Sequence, residues 1–248
     1  MSGHSKWHSI KHKKAAVDAK RGREFTRLIK EMTVAARIGG GDVDSNPRLR
    51  TAVAGAKAVN MPADNIKRAI MKGTGELPGQ AYEDVSYEGY GPGGVAMIIA
   101  TVTDNKNRTV ADIRHILTKW GGNLGETNSV SWMFHRRGYM TLDRASGSED
   151  ELMEIALEAG ADDLKAEGNM YEIICEAERL EDVRKAFEQR GKTVTTAEVT
   201  MIPQTHVRLE GKKAEQMIKL MEALEEHDDV QNVYPNFDID DAELEAAS

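Results

Sequence analysis

The chain has 248 residues, of which 40% are hydrophobic and 30% charged, a balance typical of a folded protein with two or three domains. The net charge is −8, no apolar run approaches the roughly 18 residues of a transmembrane helix, and the N-terminus lacks the apolar core of a secretory signal. Cys175 is the only cysteine, which excludes an intramolecular disulfide and favours a reducing, cytoplasmic compartment with no membrane partner.

The charge is divided unevenly along the chain. Residues 1–72 carry 16 Lys and Arg against 6 Asp and Glu, a net charge of +10, whereas residues 73–248 carry a net charge of −18. A basic segment joined to an acidic body directs phosphate groups toward one end of the molecule. The segment is therefore predicted to bind nucleic acid, against the alternative that it is only a solvated helical surface.

The first third of the sequence predicts three helices. Residues 15–38 have apolar side chains at spacings of three and four, and three glycines follow them. Asn46 and Pro47 begin a second helix as its N-cap and first helical residue. A third helix is expected from Pro62 to Gly73. Short connections between helices of this length predict a three-helix bundle.

After a linker at residues 73–79 the periodicity changes to that of strands. Val85–Tyr90 and Val95–Thr103 are predicted to pair through a tight turn at Gly91–Gly94. The turn lacks the Lys-Ser/Thr pair of a phosphate-binding loop and opens no helix, so a hairpin is the preferred interpretation. A helix at Thr109–Trp120 and a short strand at Ser131–Phe134 follow.

The polar residues before that helix allow two interpretations. Asp104 and Asn107 could cap the helix, or Arg108 could contact an anion. Capping is the preferred one, because short polar side chains satisfy the free N–H groups of a first turn.

Residues 138–202 predict the element order β-α-β-β-α-β, which is that of a ferredoxin-like domain. The C-terminal remainder is too short to bury a core alone and is expected to complete the half-built sheet of residues 80–134. The predicted fold is thus multidomain α+β: a basic helical domain (1–77), a discontinuous α/β domain (80–136 plus 203–238) and an inserted ferredoxin-like domain (137–202). An acidic tail closes the chain (239–248), and residues from Asp238 onward are expected to fray.

The candidate nucleic-acid contacts are the cations of the basic segment with one aromatic side chain and one imidazole among them. Lysine and arginine neutralise phosphates and release condensed counterions. The candidates are Lys6, Trp7, Lys11, His12, Lys13, Lys14, Lys20, Arg21, Arg23, Arg27, Lys30, Arg50 and Lys57. The N-terminal arm is expected to order on contact with its target.

Some of these residues have alternative roles. Trp7 could stack on an unpaired base or anchor the arm to the bundle. Arg50 with Lys57, and Arg68 with Lys72, share helical faces that could contact phosphate or simply be solvated. No helix is rich in base-reading Asn, Gln and Arg, so sequence-specific recognition is unsupported.

Neither a cofactor nor an enzymatic activity is predicted. His4, His8 and His12 are four residues apart, but neighbouring lysines oppose a metal cation and no cysteine or carboxylate lies close by. The chain has no nucleophile elbow, no Cys/His pair and no carboxylate cluster with metal-ligand spacing.

Several short segments resemble the YebC family in their amino-acid sequence. They include Gly3-His4-Ser5-Lys6-Trp7, Asn46-Pro47-Arg48-Leu49-Arg50, Tyr87-Glu88-Gly89-Tyr90-Gly91-Pro92-Gly93-Gly94 and Asp104-Asn105-Lys106-Asn107-Arg108-Thr109. Further matches are Lys13-Lys14-Ala15-Ala16, Asp18-Ala19-Lys20-Arg21-Gly22, Asn60-Met61-Pro62 and Gly121-Gly122-Asn123-Leu124-Gly125. The resemblance covers essentially the whole chain in order.

The resemblance implies a helical bundle followed by two α/β domains, no cofactor, and a cytoplasmic role in gene expression. It is compatible with a DNA-binding transcriptional regulator, as the family is usually described, and with a ribosome-associated translational activator that binds ribosomal RNA and tRNA. A third hypothesis is a protein-interaction module in which the acidic ferredoxin-like domain binds the partner. The oligomeric state is not predicted.

Overall fold

The computed structural model describes the backbone of residues 17–240 and the side chains of residues 22–240. Within this range the chain forms two compact units, residues 132–205 and residues 17–131 together with 206–240. Both units contain strands and helices, which confirms the predicted α+β class. None of the described helices is long and apolar enough to cross a membrane.

The second unit begins with three helices, α1 (Val17–Gly39), α2 (Pro47–Ala58) and α3 (Ala63–Thr74). Both α2 and α3 pack on α1, so the helical core lies along the long helix. Met32, Leu49 and Ala56 are fully buried there. The predicted three-helix bundle is confirmed, and we call it the helical head.

Asn46 fixes the junction between α1 and α2. Its side-chain oxygen accepts a hydrogen bond from the Leu49 N–H at 3.1 Å, which is the predicted N-cap. Its amide group donates to the carbonyls of Ala35 and Gly40, both at 2.8 Å. One buried side chain therefore satisfies free backbone groups at the end of one helix and at the start of the next.

The predicted end of α3 at Gly73 is wrong. Gly75, with φ of +83°, is the residue that closes the helix, because the left-handed conformation costs glycine little. Gly73 lies within α3 and faces α1, where an added Cβ would come within 2.4 Å of the Thr33 carbonyl oxygen. Its small size permits close packing of the two helices.

The part of the second unit that follows the head, residues 80–131 with 206–240, is the predicted discontinuous α/β domain; we call it the middle domain, and it begins with a β-hairpin. Strands β1 (Glu83–Gly91) and β2 (Val95–Thr103) are antiparallel and joined by a short 3₁₀ turn at Pro92–Gly94, which confirms the predicted hairpin. Helix α4 (Lys106–Lys119) follows, and then the edge strand β3 (Asn123–Leu124), which pairs with β1. Strand β2 is buried along almost its whole length, so it forms the centre of the sheet.

Two local predictions in this region are wrong. Asn105, rather than Asp104 or Asn107, caps α4, accepting a hydrogen bond from the Arg108 N–H at 3.1 Å. Residues Ser131–Met133 form a 3₁₀ turn instead of a strand, and the next strand begins only at Phe134. The segment is too short for its apolar residues to show either the two-residue period of a strand or the period of a helix, so the sequence did not distinguish the turn from a strand.

The first unit has the ferredoxin-like order of elements. They are β4 (Phe134–Asp143), α5 (Glu149–Glu158), β5 (Asp163–Glu167), β6 (Met170–Glu176), α6 (Leu180–Gln189) and β7 (Val194–Pro203). The sheet order β5-β6-β4-β7 places the first and third strands of the unit in the centre. Both helices cover a core that includes Leu152, Ile173 and Phe187.

The C-terminal segment completes the middle domain, as predicted. Two short parallel strands, β8 (Val207–Arg208) and β10 (Phe237–Asp238), enclose helix α7 (Gly211–Glu225) and strand β9 (Val230–Pro235) in sequence. Strand β9 pairs with β2, which gives the four-stranded order β3-β1-β2-β9. Helix α7 packs with α4 over a shared core.

The chain was predicted to fray from Asp238 onward, and this is wrong for Asp238 and Ile239, which are part of the folded domain. Ile239 is fully buried in the core of the middle domain, next to Phe237 in the same cluster. Residues 241–248, the rest of the predicted tail, lie outside the described range.

Candidate nucleic-acid interface

Eight of the predicted contacts fall where the structure describes no side chain. Lys6, Trp7, Lys11, His12, Lys13 and Lys14 precede the described residues, as do the other histidines considered for a metal site. Lys20 and Arg21 lie in the first turns of α1, but only their backbone is described. Five predicted residues, from Arg23 onward, can therefore be placed.

Lys30 corrects the prediction, because it contacts protein rather than solvent. The residue is 7% exposed, and its Nζ lies 2.6 Å from Asp229 Oδ1 and 2.9 Å from the carbonyl oxygen of Asp228. The amphipathic pattern of α1 gave no sign of this, since the partner is 199 residues away in sequence. In this structure Lys30 joins the helical head to the middle domain.

Asp229 is the centre of this junction and is 2% exposed. Besides Lys30, it accepts hydrogen bonds from Arg108 at 2.8 Å, Thr109 at 2.7 Å and Thr103 at 3.2 Å. Burial alone would raise the pKa of Asp229, but the hydrogen bonds from Lys30, Arg108 and Thr109 outweigh it and hold the pKa well below its usual value. The carboxylate is thus charged and fully partnered.

Arg23 and Arg27 also face the middle domain. Arg23 forms an ion pair with Glu226 at 3.4 Å. Arg27 is half-buried, and burial lowers the pKa of its guanidinium against the opposing effect of Glu225 and Glu24. Nearby carboxylates partly neutralise both cations, so each attracts a phosphate group less strongly than the sequence suggested.

A second junction is formed by Arg48 on α2. Its guanidinium binds both carboxylate oxygens of Glu31 at 2.6 and 3.0 Å and both of Asp84 at 2.8 Å. These hydrogen bonds raise the pKa of Arg48, and the bond to Asp84 has the largest effect. The forked geometry suits two carboxylates at once and links α1, α2 and β1.

The remaining cations of the helical head whose side chains the structure describes point to solvent. Arg50 and Lys57 are exposed, as the sequence predicted, and Arg50 donates a hydrogen bond to the neutral carbonyl of Asp44. Four more are exposed in the same way: Arg37, Lys67, Arg68 and Lys72. Within the described part of the chain, no carboxylate lies within 4.0 Å of any of these six, which we call the outer cations.

The head thus separates its cations by direction. Toward the middle domain, Arg23 and Lys30 are paired with acidic residues and Arg27 lies within the electrostatic reach of Glu225, whereas the outer cations keep their charge available. An unneutralised basic surface attracts a polyanion by counterion release and needs no particular base sequence. The helix surfaces that carry the outer cations lack the Asn and Gln pairs that read base edges, so the arrangement fits backbone contacts.

A cavity of about 690 Å³ lies where the head meets the middle domain. Its walls include Arg23, Tyr82, Arg108 and His227. His227 lies 3.3 Å from Asp112 and accepts a hydrogen bond from the Asp229 N–H, while the Lys30 ammonium sits 5.7 Å from the centre of the Tyr82 ring. Apart from the exposed carboxylate of Asp228, the charged side chains that line this cavity are paired with one another, which is typical of a structural junction.

Glu88 organises the loop that ends the first segment of the second unit. The residue is 8% exposed, and its carboxylate accepts hydrogen bonds from the N–H groups of Asn128, Val130 and Ser131 at 2.7–2.8 Å. Burial would raise the pKa of Glu88, and the three backbone hydrogen bonds together lower it below the usual value. One charged side chain therefore holds a loop that contains a left-handed residue, Asn128, at φ of +66°.

We expect Glu88→Gln to loosen this loop selectively. A hydrogen bond to a charged group contributes about 1.5–3 kcal/mol, and the glutamine amide cannot accept three N–H groups as the carboxylate does. The amides of Asn128, Val130 and Ser131 should exchange with deuterium at least roughly tenfold faster, because opening the loop costs less. Glu83→Gln, on the exposed start of the same strand, is the matched control, and unchanged exchange in Glu88→Gln would contradict the prediction.

The groups that could serve catalysis or metal binding are few in the described chain. Cys175 is buried, and burial raises the pKa of its thiol to about 11, which keeps it protonated at neutral pH. Among residues 22–240, no group of three or more His, Cys, Asp or Glu side chains could hold a metal ion.

Comparisons with known proteins agree with the geometry of the fold. Residues 5–76 match the family model described as the TACO1/YebC protein N-terminal domain, and residues 82–237 match the TACO1/YebC second and third domain. A crystal structure of a conserved hypothetical protein from Aquifex aeolicus superposes with a TM-score of 0.79 and 46% identity, covering 90% of this chain and 93% of that one.

Relatives of similar length carry a regulatory name. A protein from Desulforapulum autotrophicum is 58% identical over 99% of this chain and 100% of its own length. Another from Geobacter sulfurreducens is 58% identical over 99% of both chains. Both are named probable transcriptional regulatory proteins, which supports a regulatory role at a general level.

Proposed function

Because the chain belongs to the TACO1/YebC family, we propose that it is a cytoplasmic, non-enzymatic regulator that binds nucleic acid through its helical head and N-terminal arm. The observation that carries this proposal is the set of six outer cations, exposed and without a carboxylate within 4.0 Å in the described chain. A surface of this kind raises the local concentration of a polyanion and steers it into contact.

The names of the relatives favour DNA as the partner and transcription as the regulated process. Such a protein would hold duplex DNA by its phosphates, with the arm and the outer cations as contacts. The arm's candidates are Lys6, Trp7, Lys11, His12, Lys13, Lys14, Lys20 and Arg21, and Arg50 and Lys57 continue the surface on α2.

A second candidate is a translation factor that contacts ribosomal RNA and tRNA. The specific observation in its favour is that the outer cations are not accompanied by base-reading Asn and Gln pairs on the same helical surfaces. Structured RNA is bound mostly through its shape, phosphates and unpaired bases, which such a surface can serve. The two candidates share one binding chemistry and differ in the target.

Crosslinking in living cells distinguishes them. The full-length protein is crosslinked, purified under denaturing conditions, and the attached nucleic acid is sequenced, with a variant carrying Gln at Lys11, Lys13, Lys14, Lys20 and Arg21 as the comparison. Promoter DNA that disappears in the variant supports the transcriptional role, and ribosomal RNA and tRNA that disappear in the variant support the translational one. Recovery of neither above background would overturn the proposal as a whole.

A further inference from the structure

A second group of cations lies on the middle domain, on α4 and α7. Trp120 closes helix α4, and the ammonium groups of Lys119 and Lys219 lie 5.3 and 6.0 Å from the centre of its ring. Lys212 is seven residues before Lys219 on α7 and therefore shares its helical face. We call these four residues the lysine–tryptophan patch.

The two ammonium groups converge on one ring although they repel each other. Their distances from the ring centre place them within about 11 Å of one another, near the Debye length of dilute salt, so their charges interact. The ring holds them by cation–π attraction, worth about 0.5–1 kcal/mol each at exposed sites. Neither has a carboxylate within 4.0 Å among the described residues. An anion between them would relieve the repulsion.

The ring packs against the core, so the two lysines have an aromatic contact beside them before a ligand arrives. Trp120 is half-buried and packs against the core of the middle domain beside Leu124. Its indole N–H is buried and has no hydrogen-bond partner in the described chain. A rigid aromatic platform reduces the side-chain entropy that two long, exposed lysines would otherwise lose on binding.

The surroundings define the shape of the ligand. Residues 73–248 carry a net charge of −18, and Glu215 and Glu222 lie on the same face of α7 as Lys219, with Glu215 between Lys212 and Lys219. A duplex laid across the patch would bring its dense phosphates against these acidic side chains. A single strand can place one or two phosphates at Lys119 and Lys219 beside the Trp120 ring, in the way that basic grooves with aromatic side chains bind unpaired nucleic acid.

Helix α7 relates the patch to the helical head. Glu226, which caps its C-terminal end, pairs with Arg23 of α1. At 1.5 Å per residue, Lys219 lies about 10 Å along the helix from that ion pair and Lys212 about 20 Å. A strand that leaves the head could therefore reach the patch after a short distance.

We infer that the lysine–tryptophan patch binds the phosphodiester backbone of a single-stranded segment of the nucleic acid held by the head. The inference rests on the proposed function and extends it, since it assigns a binding surface to the acidic body of the protein. The head supplies the larger share of the charge, and the patch selects targets that have an unpaired stretch beside the part that the head binds.

Lysine footprinting on the full-length protein tests the inference. The protein is acetylated with and without a single-stranded RNA, and each lysine is quantified by mass spectrometry. Lys119 and Lys219 should be protected severalfold, together with Lys57 and Lys72 of the head, while Lys165 and Lys185 of the ferredoxin-like unit remain reactive. Protection of the head alone would overturn the inference but leave the proposed function intact. Protection of neither would count against both.

Salt-dependent affinity gives an independent readout. For a single strand, each phosphate that the protein no longer neutralises reduces the slope of log affinity against log salt by about 0.7, so Lys119→Gln with Lys219→Gln should reduce it by about 1.4. The decrease in affinity between about 50 and 200 mM salt should then be roughly sevenfold smaller than in the wild type. Lys165→Gln with Lys185→Gln is the control of equal charge.

The same variants measured on duplex DNA of equal length test the single-strand assignment. The Lys119→Gln, Lys219→Gln variant should bind the duplex with the wild-type slope. An equal change of slope on duplex and single strand would overturn the assignment, and so would an unchanged slope on the single strand.

Discussion

Replacement of Asp229 by alanine is expected to lower the free energy of unfolding by about 3–5 kcal/mol, the cost of removing one partner from a buried ion pair. The change leaves the Lys30 ammonium buried without its 2.6 Å partner and removes acceptors from Arg108, Thr109 and Thr103. Urea unfolding followed by circular dichroism measures the decrease.

Asp228→Ala is the matched control, because it removes a neighbouring carboxylate that is exposed and leaves the backbone carbonyl that Lys30 also contacts. It should change the free energy of unfolding by no more than about 0.5 kcal/mol. A decrease below about 1 kcal/mol in Asp229→Ala would place the pair among surface ion pairs and contradict the buried junction.

The same carboxylate gives the stability a defined pH dependence. Because the pKa of Asp229 is lower in the folded chain than in the unfolded one, its contribution is complete above the ordinary carboxyl pKa of about 4 and declines as the pH falls below it. The difference in unfolding free energy between wild type and Asp229→Asn should therefore be constant from about pH 5 to neutrality and shrink in more acidic solution.

Neutralising four outer cations should weaken nucleic-acid binding by roughly a hundredfold or more at moderate salt. The variant carries Gln at Arg50, Lys57, Arg68 and Lys72, which are exposed and lack a carboxylate partner in the described chain. On duplex DNA the slope of log affinity against log salt should become shallower by about 3.6, at about 0.9 for each phosphate that is no longer neutralised. Fluorescence anisotropy over a salt series measures both quantities.

The control for this variant changes the same number of charges elsewhere. Arg136, Lys165, Lys185 and Arg190 lie in the ferredoxin-like unit, and each is paired with a carboxylate. Their replacement by Gln should leave the slope unchanged. If the two variants weaken binding equally, only net charge matters and the outer cations are not the binding surface.

Local patterns were enough to predict most of the fold. The N-cap at Asn46, the hairpin at residues 91–94 and the βαββαβ order each depend on residues close together in sequence, where turn chemistry and periodicity act. The helix end at Gly75 was missed because two glycines stand within three residues, and only the packing of Gly73 against α1 decides between them.

The candidate site was less accessible to such reasoning. The distribution of charge correctly predicted that Arg50 and Lys57 are exposed cations. It gave the same prediction for Lys30, which is buried. The difference is made by Asp229, whose distance in sequence leaves no local signal on α1. Trp120 was missed for the same reason, since its second lysine comes from α7, about a hundred residues later.

The junction at Asp229 also orders events during synthesis. Chains are made from the N-terminus, and domains fold as they emerge, so the helical head is complete long before its acidic partner has been translated. Until then the inward cations Arg23, Arg27 and Lys30 have no carboxylates from the middle domain beside them. A nascent or truncated chain therefore presents a more basic head than the finished protein, and arrival of residues 225–229 withdraws that extra charge.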